Sequence, residues 1–80
     1  MPLQLHNGQR FSVTVNQIRG SWLVLCKTSG RWVYCCGDQG HQMSECLLDG
    51  WNKFGMAADA DDVWQWIWVN CGWYRLSSGV

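Results

Sequence analysis

The sequence predicts an α+β domain: one small antiparallel β-sheet of five to six strands, in the order β-β-β-β-α-β-β, with one helix packed across one face. Segments in the first half of the chain alternate apolar and polar residues with a period of two, which is typical of half-buried strands. A single apolar stripe with helical spacing follows, and the connections are short, which favours antiparallel pairing. The chain of 80 residues is expected to form a single domain over residues 1–80.

The first hairpin is predicted from its turn. The pair Asn7-Gly8 is preferred in two-residue hairpin turns, and it would fold residues 3–6 back on a strand that starts at Gln9. Residues 11–16 then read Phe-Ser-Val-Thr-Val-Asn, an alternation rich in β-branched side chains. The pattern therefore predicts two paired strands at the start of the chain.

A second hairpin is predicted after it. Residues 22–26 are apolar on both faces, which is expected of a central strand. Residues 28–30 read as a hairpin loop whose glycine is left-handed, and residues 31–36 return as the partner strand. With a three-residue loop, Trp32 would lie opposite Cys26.

The hydrophobic period changes in the middle of the chain. Six residues fall on one helical stripe: Met43, Cys46, Leu47, Gly50, Trp51 and Phe54. We predict a helix over residues 42–54 that ends at Gly55, because glycine is common just after the last turn. This helix is expected to dock through Leu47, Trp51 and Phe54. Gly50 would permit a close approach to the sheet.

The last third of the chain favours another hairpin. Three tryptophans alternate with other residues: Trp64, Trp66 and Trp68. Residues 63–69 are therefore predicted to be a strand, joined by a short loop at residues 70–72 to a final strand at residues 73–76. A helix that starts at Asp59 is the competing interpretation for residues 63–67.

The alternation divides the predicted sheet into two faces. Aliphatic side chains such as Leu23, Leu25 and Ile67 are expected to lie under the helix. The opposite face would carry most of the tryptophans, and we predict that it binds a partner and has an acidic margin. Its residues are Trp22, Trp32, Tyr34, Trp66, Trp68, Trp73, Asp59, Asp61 and Asp62. The alternative is that these rings pack against one another, or that the sheet curls into a small barrel and hides them.

The composition supports a contact surface. Tryptophan occurs seven times, and the large apolar residues number 30 among 80. A domain of this size buries only about 60% of the surface of its unfolded chain, so part of this apolar surface would meet a partner. Tryptophan and tyrosine are enriched at binding hot spots, which favours a protein partner or a homodimer. Single-stranded nucleic acid or carbohydrate stacked on the same rings is the alternative.

Charge is balanced overall but not along the chain. Six Lys/Arg residues match six Asp/Glu residues, which argues against nucleic acid as the partner. Residues 1–37 carry four basic residues and no acid, whereas residues 38–62 carry six acids and Lys53. Such polarity steers a charged partner, unless the two blocks interleave in space and cancel.

The five cysteines fit free thiols in a reducing cytosol, because an odd number does not complete a disulfide framework. No Cys-x-x-Cys pair occurs, so neither a metal nor another cofactor is expected. The alternative is a small metal-binding or thiol enzyme domain built from Cys35, Cys36, His41 and Cys46, with Asp38 orienting the imidazole. Because a chain of 80 residues has few side chains with which to line a substrate pocket, we expect no enzymatic activity.

The first residues lack a basic segment followed by an apolar run, and the longest apolar stretches are too short to span a bilayer. A cytoplasmic protein without membrane association is therefore expected. These features predict a small, non-enzymatic protein-binding module. In size and in lacking an active site, it resembles the small inhibitors and accessory proteins that phages and mobile elements carry against host defences, and no motif is shared with them.

Overall fold

Among the described residues, four strands form one antiparallel sheet in the order β1-β2-β3-β4, so each strand pairs with its neighbours in the chain. The strands are β1 (Pro2–Asn7), β2 (Phe11–Asn16), β3 (Ser21–Cys26) and β4 (Trp32–Cys35). Three helices follow within the part of the chain that the structure describes: α1 (Asp38–Phe54), α2 (Ala60–Asn70) and α3 (Trp73–Leu76). The computed structural model describes residues 2–55 and 57–79.

The helices form a second layer on one side of the sheet. α1 contacts β3 and β4, α2 contacts β2, and α3 contacts β4. The core lies between the layers, and its fully buried residues include Phe11, Val13, Val24, Met43 and Ile67. The predicted α+β class and the antiparallel pairing are confirmed. Among the helices of the described residues, none has both the length and the apolar character needed to cross a bilayer.

The prediction of five to six strands is wrong, because residues 63–69 are helical. Asp59 caps α2, since its Oδ1 accepts a hydrogen bond from the backbone N–H of Asp61 at 3.0 Å. The apolar side chains that α2 buries have helical rather than alternate spacing: Val63, Trp64, Ile67 and Trp68. The competing helix interpretation is therefore the correct one.

A tight corner replaces the predicted C-terminal hairpin. Gly72 adopts a left-handed conformation with φ of 79° at the turn between α2 and α3. This turn directs Trp73 into the core, where it is 3% exposed. Beyond α3, Ser78 pairs with Trp32 at the outer edge of β4.

The β3–β4 hairpin differs from its prediction by one residue. The backbone N–H of Cys26 donates to the carbonyl oxygen of Arg31 at 2.8 Å, so the loop holds four residues. Trp32 therefore pairs with Leu25 rather than with Cys26. A slip of one residue moves every side chain of a strand to the other face. The aromatic rings of β4 consequently share a face with the leucines of β3.

The first hairpin turns later than its sequence predicts. The backbone N–H of Gly8 donates to the carbonyl oxygen of Phe11 at 2.8 Å, which places Gln9 and Arg10 in the turn. The backbone N–H groups of Arg10 and Phe11 also donate to the carboxylate of Asp61 in α2. This contact comes from a distant part of the chain, so local turn preferences cannot anticipate it.

Helix α1 begins at Asp38, before the predicted residue 42, and ends as predicted at Gly55, whose N–H donates to the carbonyl oxygen of Trp51 at 2.8 Å. Its buried residues are Gly40, Met43 and Gly50, of which Met43 has no exposed surface. Trp51 is half-buried and Phe54 is 41% exposed. Met43 is therefore the side chain of α1 that the core buries fully, whereas Leu47 and Trp51 pack against the core while only partly buried.

Replacing Gly50 by leucine is expected to destabilise the contact between α1 and α2. A β-carbon at Gly50 would lie 2.9 Å from Cγ1 of Val63 and 3.4 Å from Cδ1 of Ile67, so the glycine allows two helices, rather than a helix and the sheet, to approach closely. Overpacking of this contact should cost about 2 kcal/mol. Chemical denaturation measures the loss, with the exposed position Asn52→Leu as control. Equal stability of both variants would contradict the close approach.

Candidate functional site

The side of the sheet that faces away from the helices carries four large apolar side chains, which we call the open face: Leu23, Leu25, Trp32 and Tyr34. They belong to the neighbouring strands β3 and β4, in which Leu23 pairs with Tyr34 and Leu25 pairs with Trp32. Because side chains two positions apart point to the same side of a strand, the four form one continuous patch.

The open face leaves much apolar surface in contact with solvent. Leu23 is 41%, Trp32 42% and Tyr34 49% exposed. No helix or strand of the described residues covers this side of the sheet. A large ring presents about 200 Å², so covering the exposed part of Trp32 would contribute roughly 2 kcal/mol at about 25 cal/mol per Å². A partner that covers the patch would gain this free energy.

Cations stand at both ends of the open face. Lys27 continues the alternation of β3 beyond Leu25, and its Nζ donates to Oδ1 of Asn7 at 2.6 Å and to the carbonyl oxygen of Gly8 at 2.7 Å. At the other end, Arg19 lines a shallow pocket together with Leu23 and Tyr34. The four strands contain no acidic residue.

The two charged blocks of the sequence separate in space. The sheet layer and its turns hold the four basic residues of residues 1–37, whereas α1, α2 and the cap of α2 hold all six acids. Arg10 joins the two blocks, since it pairs with both Asp61 and Asp62. The margin of the open face is therefore basic, and the acidic margin expected from the sequence does not border it.

The tryptophans do not form one surface, so the expectation of a single tryptophan face is wrong. Trp68 and Trp73 are 6% and 3% exposed and belong to the core. Trp22 is half-buried on the covered side of the sheet, with its ring 6.3 Å from that of Trp64. The reason is that α2 is a helix and that β4 has a different register. Trp32 is the one tryptophan of the predicted set that lies on the open face.

Trp66 lies on a second apolar surface, which belongs to the helix layer. Its ring meets that of Phe54 edge to face, at 6.4 Å and 78°. Val69 and Asp62 line the same shallow depression. Trp66 and Asp62 thus adjoin each other, but they are separated from Trp32 and the rest of the open face by the core.

Asp61 is buried and is not available to a partner. Its carboxylate accepts hydrogen bonds from Nε2 of His6 at 2.8 Å, from Nε and the backbone N–H of Arg10 at 2.9 and 3.0 Å, and from the backbone N–H of Phe11 at 3.2 Å. Burial by itself would raise the pKa of Asp61, but these hydrogen bonds lower it to about 2. Asp61 therefore fastens the first hairpin to the start of α2.

The other two predicted acids belong to the same corner of the fold. Asp59 caps α2 through the backbone N–H of Asp61, and the exposed Asp62 accepts a hydrogen bond from Nη2 of Arg10. The first contact satisfies a backbone N–H at the N-terminus of α2, and the second balances the charge of Arg10. The acidic cluster thus has a structural explanation, independent of any partner.

The geometry argues against Cys35 as a nucleophile. Cys35 is fully buried, and burial, together with the nearby Cys36 and Cys46, raises the pKa of its thiol to about 11. Such a thiol is rarely ionised and is a poor nucleophile. Cys36 and His41 are exposed, and all five cysteines are free. Within residues 2–55 and 57–79, no three His, Cys, Asp or Glu side chains gather closely enough to hold a metal ion.

Leu23 and Leu25, which the sequence predicts beneath the helix, are the members of the open face that pattern alone does not identify. The strand that carries them is apolar on both sides, with Trp22 and Val24 on the other set of positions. No local signal ranks one set above the other. Only the packing of the helices against Val24 shows which set is left uncovered.

No protein-family model, curated protein or solved structure matches the chain. Its site is therefore interpreted from its own residues. The open face combines two exposed aromatic rings and two leucines on paired strands with a cation at each end.

Proposed function

We propose that this chain is a small, non-enzymatic protein-binding module that captures its partner through the open face. One observation supports this most directly: Trp32 and Tyr34, 42% and 49% exposed, lie two residues apart on the uncovered side of β4. Tryptophan and tyrosine dominate binding hot spots because each offers a large, rigid contact area at a low cost in conformational entropy.

The anatomy of the surface also suits a protein partner. Apolar side chains occupy the centre of the open face, while Arg19 and Lys27 stand at its ends. In protein interfaces, an apolar centre supplies affinity and charged groups at the rim steer the encounter. The patch lies on paired strands, so little of the binding free energy is spent on ordering it.

The proposal extends to the location of the protein and to its biological role. We propose a cytoplasmic protein, because its five thiols are free. A role as an inhibitor or accessory protein of the phage or mobile-element type suits a chain of 80 residues, with size as the only support. Self-association through the open face would be the simplest form of the activity.

A specific feature favours single-stranded nucleic acid as a second candidate. Two aromatic rings at alternate positions of one strand, near Lys27 and Arg19, are similar to the platforms on which bases stack. Leucines make up half of the open face, however, and the net charge of the chain is zero. These properties favour a protein partner.

Replacing Trp32 by serine is expected to abolish partner capture without unfolding the protein, because the ring is exposed in the free molecule. Tagged wild-type protein and the variants Trp32→Ser and Tyr34→Ser would be used to capture proteins from the source cells, and circular dichroism would check their folding. Phe54→Ser is the matched control, since Phe54 is 41% exposed but lies on the helix layer. Partner loss in Phe54→Ser with retention in Trp32→Ser would place binding on the Trp66 surface and contradict the proposal.

A further inference from the structure

The open face also indicates what kind of partner it takes, provided that the proposed protein-binding function holds. We infer that the partner presents an acidic segment: an extended stretch of chain with an apolar or aromatic side chain at its centre and carboxylates on both sides. The basis is an apolar patch with a cation at each end and no acid on any of its strands.

Charge complementarity is the first argument. None of the ion pairs within residues 2–55 and 57–79 involves Arg19 or Lys27. The ammonium of Lys27 is held in place by the neutral oxygens of Asn7 and Gly8, which orient it without neutralising it. A partner that covers the patch removes water from both cations, and carboxylates would compensate for that loss, whereas a basic segment would be repelled.

The dimensions of the patch supply the second argument. The centre consists of Leu23, Leu25 and Trp32, which line one shallow apolar cleft. Strand β3 and Lys27 together span residues 21–27, and a strand rises about 3.3 Å per residue, so the two cationic ends are roughly 20 Å apart. An extended peptide covers this span with about six residues. Carboxylates at its ends would reach the cations while its central side chain fills the cleft.

The same observations disfavour other occupants. A nucleic-acid strand brings a negative charge at every phosphate and needs a row of cations, whereas the open face has two cations and an aliphatic half. A second copy of this chain carries its acids on the helix layer. Contact between that layer and the open face would be head to tail, which builds rings or open chains rather than a two-fold dimer. Contact between two open faces would bring their cations together, and these would repel each other.

Peptide selection on the intact protein tests the inference. A phage library of random 12-residue peptides would be panned on the wild-type protein, after counter-selection on Trp32→Ser to remove peptides that bind elsewhere. We expect the survivors to be enriched in Asp and Glu around a central apolar residue, relative to the unselected library. The affinity of a synthetic survivor should fall about tenfold in Arg19→Glu, since reversal of a rim charge removes an attraction and adds a repulsion.

Two variants keep the result interpretable. The side chain of Arg19 makes no hydrogen bond among the described residues and lies in an exposed turn, so Arg19→Glu should fold normally. Lys53→Glu, an exposed cation on α1, should leave peptide affinity unchanged and serves as the control. An oligodeoxythymidine of 15 nucleotides and sedimentation of the protein alone would be measured in parallel.

Each outcome decides something different. Survivors that are neutral or basic, or an affinity equal in Arg19→Glu and wild type, would overturn the acidic partner while leaving protein binding by the open face in place. If no selected peptide needs Trp32 for binding, both the acidic partner and protein binding by the open face would be overturned. Tighter binding of the oligonucleotide, lost in Trp32→Ser, would replace the acidic segment by nucleic acid, and a dimer lost in that variant would replace it by a second copy.

Discussion

Asp61→Asn is expected to lower the free energy of unfolding by about 3 kcal/mol, a large share of the roughly 5–15 kcal/mol that stabilises a domain. Asp61 is 5% exposed, and its carboxylate accepts from His6, Arg10 and Phe11. An amide in its place would carry no charge to balance Arg10, and its NH₂ group would face donors. The first hairpin would lose its attachment to α2.

Acid should weaken the same attachment in the wild-type protein. The pKa of Asp61 is about 2 in the folded protein, below its ordinary value of 3.8. The unfolded chain therefore takes up a proton first as the pH falls. The stabilisation is fully present above about pH 4 and is lost as the pH approaches 2, an effect of about 2 kcal/mol. Asp61→Asn should lack this part of the pH dependence.

Urea denaturation of both proteins between pH 2 and pH 7 measures these effects. Asp62→Asn is the matched control, because Asp62 is the next residue and also pairs with Arg10, but its side chain is 55% exposed. It should change stability by less than about 1 kcal/mol, as exposed ion pairs do. Equal losses of stability in Asp61→Asn and Asp62→Asn would show that the burial of Asp61 does not determine its contribution to stability.

Trp68→Ala is expected to destabilise the protein by about 3–5 kcal/mol, which can be enough to prevent folding. Its ring is 6% exposed and lies 5.7 Å from that of Phe11, between α2 and the sheet. Removal of the ring would leave a cavity at the contact between the two layers. Thermal unfolding followed by circular dichroism measures the loss.

Trp32→Ala provides the contrast, since the residue type and the substitution are the same. Trp32 is 42% exposed on the open face, so its loss should cost clearly less than the loss of Trp68. A protein that melts normally without Trp68 but unfolds without Trp32 would mean that the covered and open faces have been interchanged.

Local signals in the sequence account for much of the architecture. The alternation in residues 11–16 and the doubly apolar run at 22–26 predict strands that β2 and β3 confirm. The stripe that contains Met43 and Gly50 predicts α1 and its end at Gly55. In each case, neighbours in sequence carry the signal, through side-chain period or through the backbone freedom of glycine.

Helix α2 shows where local signals are insufficient. Trp64, Trp66 and Trp68 fit the period of a strand, while Asp59 fits the cap of a helix. The segment is helical because a helix places Val63 and Trp64 on one turn and Ile67 and Trp68 on the next, all facing the core. These four side chains pack against the sheet. Neither pattern is stronger within the segment itself, so packing against the sheet decides between helix and strand.

The sequence by itself determined the α+β class, the four N-terminal strands, the position of α1 and the separation of basic from acidic residues along the chain. Only the tertiary structure decided which side of the sheet stays uncovered. One extra residue in the β3–β4 loop places Trp32 beside Leu25, and the helices then cover the opposite side. The physical reason is that successive side chains of a strand point to opposite faces. A shift of one residue in the pairing therefore exchanges the buried and the exposed rings, although the composition and the period of the sequence stay the same.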